Sequence, residues 1–358
     1  MPEGSTRSLP DDAGSSTRSG NVSRLRIAIS MGDPNGIGPE VLLSCLADAE
    51  LNNRVEMIPV GSSDVLRTYA AMLQKGGSEG SYPFDLSGVR IEPVEASASF
   101  HVVPGKADPL AGKLSMESVA RAITLCHTGA ADAMVTCPIS KEVIARAGYD
   151  FPGHTEFIAE RTGGGEVLMM MVSGALRVGL VTSHLPLSRV AEAITEKAVA
   201  KTLRLMTSAL KKDFGIVRPR IAILGLNPHA GDGGVLGSEE MGIIIPAISS
   251  CGDIARWSGP LAADGFFGSG AWKNVDGVVA MYHDQGLAPF KALSFGKGVN
   301  VSAGLPIVRT SPDHGTGFDI AGVGKADSSS LKAAILLAAD IAERRLASAH
   351  TLYHRDAE

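Results

Sequence analysis

Three histidines share one local setting. His184 closes the apolar run ALRVGLVTS, His229 follows RIAILGLNP, and His283 follows DGVVAMY. Each run is short and rich in branched residues, which predicts a buried strand with the histidine opening the loop beyond it. Ends of separate strands meet at the rim of a parallel sheet, so residues far apart in sequence can share a site there. Three neutral imidazoles suit a borderline divalent ion and leave positions for substrate oxygens. Such an ion acts as a Lewis acid on a hydroxyl or carbonyl oxygen. Each histidine taken alone reads as an ordinary hydrogen-bonding residue at a loop start. Asp264 and Asp284 can replace one of them as ligands, or orient an imidazole from behind.

Anion-binding chemistry follows the third histidine. Lys291, Asn300 and Arg309 recur at intervals of nine residues, and the arginine's planar fork suits phosphate or carboxylate. A solvated surface is the plainer reading of any basic residue, but the intervening NVSAGLPIV is apolar. His154 and Thr155 precede a helix predicted to start near Glu156, where backbone N–H groups favour an anion. Lys141, after Pro138 and Ser140 at another strand end, can face an anion too. Met169, Met170 and Met171 read as core filling, and His127 as a helix-end group.

The elements that must position these residues alternate strand and helix. LRIAISM is a strand running into the turn GDPNGIGPE, with Pro39 and Glu40 in the first turn of a helix. Gly32, Asp33 and Asn35 read as turn chemistry or as ligand contacts; the stretch has neither GxGxxG nor GK[ST], so neither phosphate-loop fingerprint applies. VEMIPVGS, VRIEPV and DAMVTC predict further strands, with helices from Asp64 to Gln74 and over MESVARAITLCHTG, the latter capped by Ser115. EVLMMMVSG and ALRVGL form a hairpin at Ser173-Gly174. A long helix ends near Lys211, Glu239 and Glu240 open another, and Ser330 caps the closing one. This alternation predicts an α/β protein with a mainly parallel sheet.

Composition sets bounds. A chain of 358 residues accommodates two α/β domains or one large one. With 33 basic and 38 acidic residues the formal charge is −5, and no basic run is long enough for a nucleic-acid backbone. The four cysteines have no CxxC spacing and read as reduced, as in a cytoplasmic protein. No run of eighteen apolar residues predicts a membrane span. Residues 1–23 are small and polar and read as a flexible tail.

GDPNGIGPE, PGHTEF, TSHLPL, GLNPHAG, YHDQGLAPFK and GVNVSAGLPIVRTSPDHGTGFDIAG stand in the order found in 4-hydroxythreonine-4-phosphate dehydrogenases, which the chain resembles from about Leu25 to Leu346. The resemblance implies a fold similar to isocitrate and isopropylmalate dehydrogenases: two α/β/α domains, 24–150 with 276–358 and 151–275, and an active-site cleft between them. It implies a cytoplasmic homodimer whose site is shared across the interface. Metal ligation falls on His184, His229 and His283, the last from the neighbouring subunit, for one divalent ion (Zn, Mg, Co or Mn). Substrate contacts fall on His154, Thr155, Lys291, Asn300 and Arg309. By analogy with isopropylmalate dehydrogenase, Asp313, His314, Gly315, Thr316 and Gly322 lie near NAD or NADP. The implied reaction oxidises 4-phosphooxy-L-threonine to 2-amino-3-oxo-4-phosphooxybutanoate, which loses CO2 to give 3-amino-2-oxopropyl phosphate, the compound passed to pyridoxine 5′-phosphate synthase. His154, Asp284 and Lys291 are the candidates for taking the hydroxyl proton. Two alternatives are a 4-phospho-D-threonate or 4-phospho-D-erythronate dehydrogenase, and a phosphometabolite-binding protein without turnover.

Overall fold

A computed structural model describes residues 24–75, 86–151, 153–163 and 165–355. The expected polar tail, residues 1–23, lies outside the described residues. The strands in chain order are β1 (Leu25–Ser30), β2 (Val55–Gly61), β3 (Glu92–Pro93), β4 (Ala133–Thr136), β5 (Leu168–Ser173), β6 (Leu176–Leu180), β7 (Arg220–Leu224), β8 (Arg256–Leu261), β9 (Gly277–Ala280), β10 (Val299–Ala303) and β11 (Arg309–Pro312). They form one 11-stranded sheet in the order β3-β2-β1-β4-β11-β10-β5-β6-β9-β7-β8.

The sheet has two parallel blocks. β3, β2, β1, β4 and β11 run one way, and β6, β9, β7 and β8 run together. Between the blocks, β10 and β5 are antiparallel to each other and to their outer neighbours. The two blocks therefore run in opposite directions, so the carboxyl ends of β6, β9 and β7 lie along the same edge as the amino end of β11. The predicted hairpin at Ser173-Gly174 is present as the β5–β6 turn. β9 lies between β6 and β7, among strands drawn from residues 168–261.

Side chains alternate across each strand, and the two faces bury different things. On one face Ile27, Ile29, Met170, Val301, Ile221 and Val279 join a single apolar core spanning both blocks, covered by the helices Glu196–Lys212 and Ser329–Arg355. On the other face the core is split. Ala28, Ile58 and Met134 pack with the helices Pro109–His127 and His154–Arg161. Met171, Val178, Ala222 and Val278 pack separately beneath the helix His283–Ser294.

Several helix starts differ from the sequence expectation. The helix Pro109–His127 begins six residues before Ser115, because Asp108 caps it by accepting from Leu110 N at 2.9 Å and Pro109 suits the first turn. Ser115 is buried inside and donates to Ala111 O at 2.7 Å. His283 opens a helix, not a loop; Gln285 in its first turn accepts from Met281 N at 2.7 Å and donates to Gly225 O at 2.6 Å, tying the ends of β9 and β7 together. Ser330 lies within the closing helix and does other work: it donates to Gly298 O at 2.8 Å and accepts from Asp313 N at 3.1 Å.

Candidate active site

The gap in the split face is floored by polar side chains. Residues opposite one another on antiparallel strands share a face, and the pairs Asn300 with Ser311, Asn300 with Met171 and Ser302 with Met169 define it. Arg309 opens β11 on that face and is only 2% exposed. Its Nη2 and Nε donate to Thr136 Oγ1 at 2.6 and 3.2 Å, and its Nη1 donates to Ser302 Oγ at 3.0 Å. Among the described residues no carboxylate forms an ion pair with it. Burial pulls its pKa down to about 10, against the opposing field of Glu156, so it remains cationic at neutral pH. A buried cation held only by neutral hydroxyls is costly, and an anionic ligand offsets that cost.

A cavity of about 300 Å³ opens above this floor, lined by His154, Thr155, Glu156, His184, Asn300, Arg309 and Ser311, with Lys141 and Lys201 among its walls. His154 Nε2 and Asn300 Oδ1 are buried without a hydrogen-bond partner. Such groups are rare in native proteins unless a ligand completes them. Burial, reinforced by Arg309, holds the His154 imidazole well below its usual pKa, so it is neutral at pH 7. Of the sequence-singled residues, His154, Thr155, His184, Asn300, Arg309 and Lys141 are thus brought together.

The three strand-end histidines follow three adjacent parallel strands, β6, β9 and β7. The rings of His184 and His283 lie 5.9 Å apart between centroids, in the same chain. Thr182, donating to Met281 O at 2.8 Å, fixes the two strand ends. Burial, then the charges of Lys141 and His283, lowers the His184 pKa and favours the neutral ring that a metal needs. His283 Nδ1 lies 2.6 Å from Asp284 Oδ1, which leaves Nε2 free, the orienting role expected of Asp284. His229 is exposed in a left-handed loop, with φ of 52° and positive φ continuing to Gly234. Glu240, buried beneath it, holds that loop by accepting from Leu226 N and Asn227 N, each at 2.8 Å. Among the described residues no group of three His, Cys, Asp or Glu side chains is placed to hold a metal. Two donors fit the ion within one chain, and the third does not reach them there. Asp264 is exposed at the start of another helix.

Lys291 stands outside the cavity, its Nζ 3.3 Å from Asp313 Oδ1. Burial raises the Asp313 pKa while Lys291 works against it. Asp313 begins the segment running to Gly322, which leaves the carboxyl end of β11 at the edge opposite Arg309. That segment is joined to GDPNGIGPE: Ile37 N donates to Thr316 O at 2.8 Å, and a Cβ on Gly36 would lie 2.7 Å from the same oxygen. Glu40 accepts from Gly322 N at 3.0 Å and Ala326 N at 2.9 Å, so the Gly322 amide is already engaged. His314 Nε2 is buried and unpartnered, and Asp33, buried in the facing turn, has its pKa raised to about 6 by burial. A larger cavity, about 760 Å³, lies beside β2 and β3 and is lined by Asp64, Thr68, Glu95 and His101, none of which belongs to the predicted site.

Thr136, Ser302, Ser311, Lys201 and the site role of Glu156 escape a reading of the sequence. Ser302 and Ser311 lie two residues beyond Asn300 and Arg309, which is the strand period; only the register between β10 and β11 shows that all four share a face.

A family model for the pyridoxal phosphate biosynthetic protein PdxA matches residues 53–338. The chain belongs to the PdxA family. A curated 4-hydroxythreonine-4-phosphate dehydrogenase of Bacteroides thetaiotaomicron is 45% identical over 334 residues, covering 90% of each chain. The crystal structure of a 4-hydroxythreonine-4-phosphate dehydrogenase from Klebsiella pneumoniae superposes with a TM-score of 0.77 at 36% identity, over 90% of this chain and 98% of that one. A terephthalate 1,2-cis-dihydrodiol dehydrogenase from Burkholderia xenovorans LB400 gives a TM-score of 0.60 at 29% identity, over 88% and 98%. PdxA membership and the sheet agree with the α/β reading, and among the described residues no helix is long and apolar enough to cross a membrane.

Proposed function

We propose that this PdxA-family chain is a metal-dependent NAD(P)-linked dehydrogenase that oxidises 4-phosphooxy-L-threonine at its secondary hydroxyl. The product, 2-amino-3-oxo-4-phosphooxybutanoate, is a β-keto acid that loses CO2 to give 3-amino-2-oxopropyl phosphate for pyridoxal phosphate synthesis. The observation that carries the reading is the buried, carboxylate-free guanidinium of Arg309 at the base of a cavity whose other buried polar atoms, His154 Nε2 and Asn300 Oδ1, also lack partners. An anionic, hydrogen-bonding substrate satisfies all three.

His184 and His283 would hold the divalent ion, with His229 of a second copy as third donor. When bound, the ion would supply Lewis acidity toward the substrate's alcohol and ketone oxygens, and the nicotinamide would supply the hydride acceptor. The chain's own residues do the rest. Arg309, Asn300 and Thr155 seat the anionic substrate, and neutral His154 accepts the hydroxyl proton, since it is deprotonated at pH 7 and faces the cavity. Lys291 serves less well as a base because it stands outside the cavity, paired with Asp313 at 3.3 Å. The segment Asp313 to Gly322 would lie along the cofactor, where the free His314 Nε2 fits a hydrogen bond to it. A homodimer would supply the missing metal donor, and the two-part division is kept with the second part extended through the helix His283–Ser294.

The Burkholderia xenovorans neighbour is named for a dihydrodiol, so this architecture serves more than one alcohol. The deciding experiment follows NADH or NADPH formation by purified protein with a divalent ion, comparing 4-phosphooxy-L-threonine with 4-phospho-D-threonate and 4-phospho-D-erythronate and measuring CO2. Chelator-sensitive turnover of the amino compound is expected to exceed the others by about 100-fold or more in kcat/KM, about 2.7 kcal/mol of discrimination. The reverse preference would move the protein to sugar-acid oxidation.

A further inference from the structure

The charges lining the cavity are unevenly distributed. Arg309, Lys141 and Lys201 are cationic, His154 and His184 are held neutral, and Glu156 is the only acidic residue among the lining side chains. Glu156 is an exposed residue of the lining, and its carboxylate lies near Gly153, another lining residue, with Oε2 3.7 Å from the point a Cβ there would occupy. Its field reaches both Arg309 and His184, whose pKa values are lowered chiefly by burial, and works against that lowering. Yet no hydrogen bond or ion pair to the Glu156 carboxylate occurs among the described residues. Glu166, outside the lining, is engaged with Lys201 at 3.6 Å.

Resting on the proposed reaction, we infer that Glu156 receives the ammonium group of the substrate and is the residue that selects an amino acid over the matching hydroxy acid. The proposed substrate carries a phosphate, a carboxylate and an ammonium. The two anionic groups have Arg309 and the lysines, so the cation needs the one carboxylate the cavity provides. A hydroxyl in the same place forfeits the charge-assisted bond and leaves Glu156 facing an uncharged group, which is how a polar site rejects an analogue. Glu156 also stands in the first turn of the helix His154–Arg161, where an acid favours the helix dipole. That structural effect is the same whatever substrate is bound, so the ratio between substrates separates the two roles.

The test uses the full chain with a divalent ion and NAD or NADP, and two compounds: 4-phosphooxy-L-threonine and the analogue in which a hydroxyl replaces the amino group at unchanged configuration. Glu156→Gln is expected to lower kcat/KM for the amino compound by about 100-fold, mostly through KM, and to change the analogue by about threefold or less. Glu156→Asp, which keeps the charge, should recover part of the preference. Equal losses for both compounds, or an unchanged ratio in Glu156→Gln, would overturn the inference while leaving the reaction standing. Wild-type protein that oxidises neither compound would overturn the reaction itself, and the inference with it.

Discussion

The two faces of the central sheet are built from the same strands to different ends. One carries an uninterrupted apolar core across both parallel blocks; the other parts its core in the middle and puts Asn300, Ser302, Arg309 and Ser311 in the gap. Met169, Met170 and Met171 show the division within three residues. Met170 is buried in the continuous core, Met171 belongs to one fragment of the split core, and Met169 lines the cavity. Stability is thus concentrated on the face that does no chemistry, which lets the other face keep an unneutralised charge and unpaired polar atoms.

Replacing Arg309 should separate the faces most sharply. Arg309→Met removes the buried guanidinium, and kcat/KM is expected to fall by about 10²- to 10³-fold. The urea midpoint should hold or rise, because a well-packed apolar side chain replaces an unpaired buried charge. A large loss of stability in that variant would mean that Arg309 holds the fold together and is no substrate seat. Met170→Ala makes the opposite break: about 2–5 kcal/mol of unfolding free energy lost, with turnover per folded molecule nearly unchanged. Denaturation curves and active-site-normalised rates measure both.

Acid should expose the same asymmetry. The folded-state pKa of His154 is depressed, so its neutral form contributes stability in full above the usual histidine value of 6.5, and that stability is lost as pH falls below it towards the lowered native value. Across that window the unfolded chain binds the extra proton, and the loss approaches about 1.4 kcal/mol per pH unit. Urea midpoints measured from pH 7 to pH 5 should fall, and fall less in His154→Gln. His184 acts in the same direction. The smallest effect belongs to Ser302→Ala, which takes one of the hydroxyl bonds from Arg309 and should cost about 1 kcal/mol, read as a several-fold rise in KM.

The parts of this site legible in sequence were those with a local signature. Histidines ending apolar runs announce themselves, and β6, β9 and β7 do bring their ends side by side. Arg309 and Asn300 stood out against apolar surroundings. What joins them is register, which a single sequence does not carry: Ser302 meets Arg309 only because β10 runs antiparallel to β11, and Thr136 only because β4 lies on the other side. Lys291 is placed apart from Asn300 and Arg309 within the chain. It shares the interval of nine with them but lies on a helix, and its partner is Asp313. Ser115 and Ser330 have the residue type of a cap, yet one is buried inside a helix that Asp108 had already started, and the other bridges Gly298 and Asp313.

The strand order also sets a timetable for synthesis. β1 to β4 leave the ribosome first and β5 to β9 next, each group already in reach of its own neighbours, but β10 and β11 are inserted between β4 and β5 as the central pair. Until residues 299–312 have emerged, the nascent chain lacks the two strands that join its half-sheets, so neither the row of polar side chains nor the continuous core can be complete. Ser330 adds a final latch, because the closing helix must arrive before Gly298 and Asp313 are tied. Stalled chains ending before that helix should therefore remain open to protease in the middle of the sheet, whereas chains a few dozen residues longer should close over their entire length.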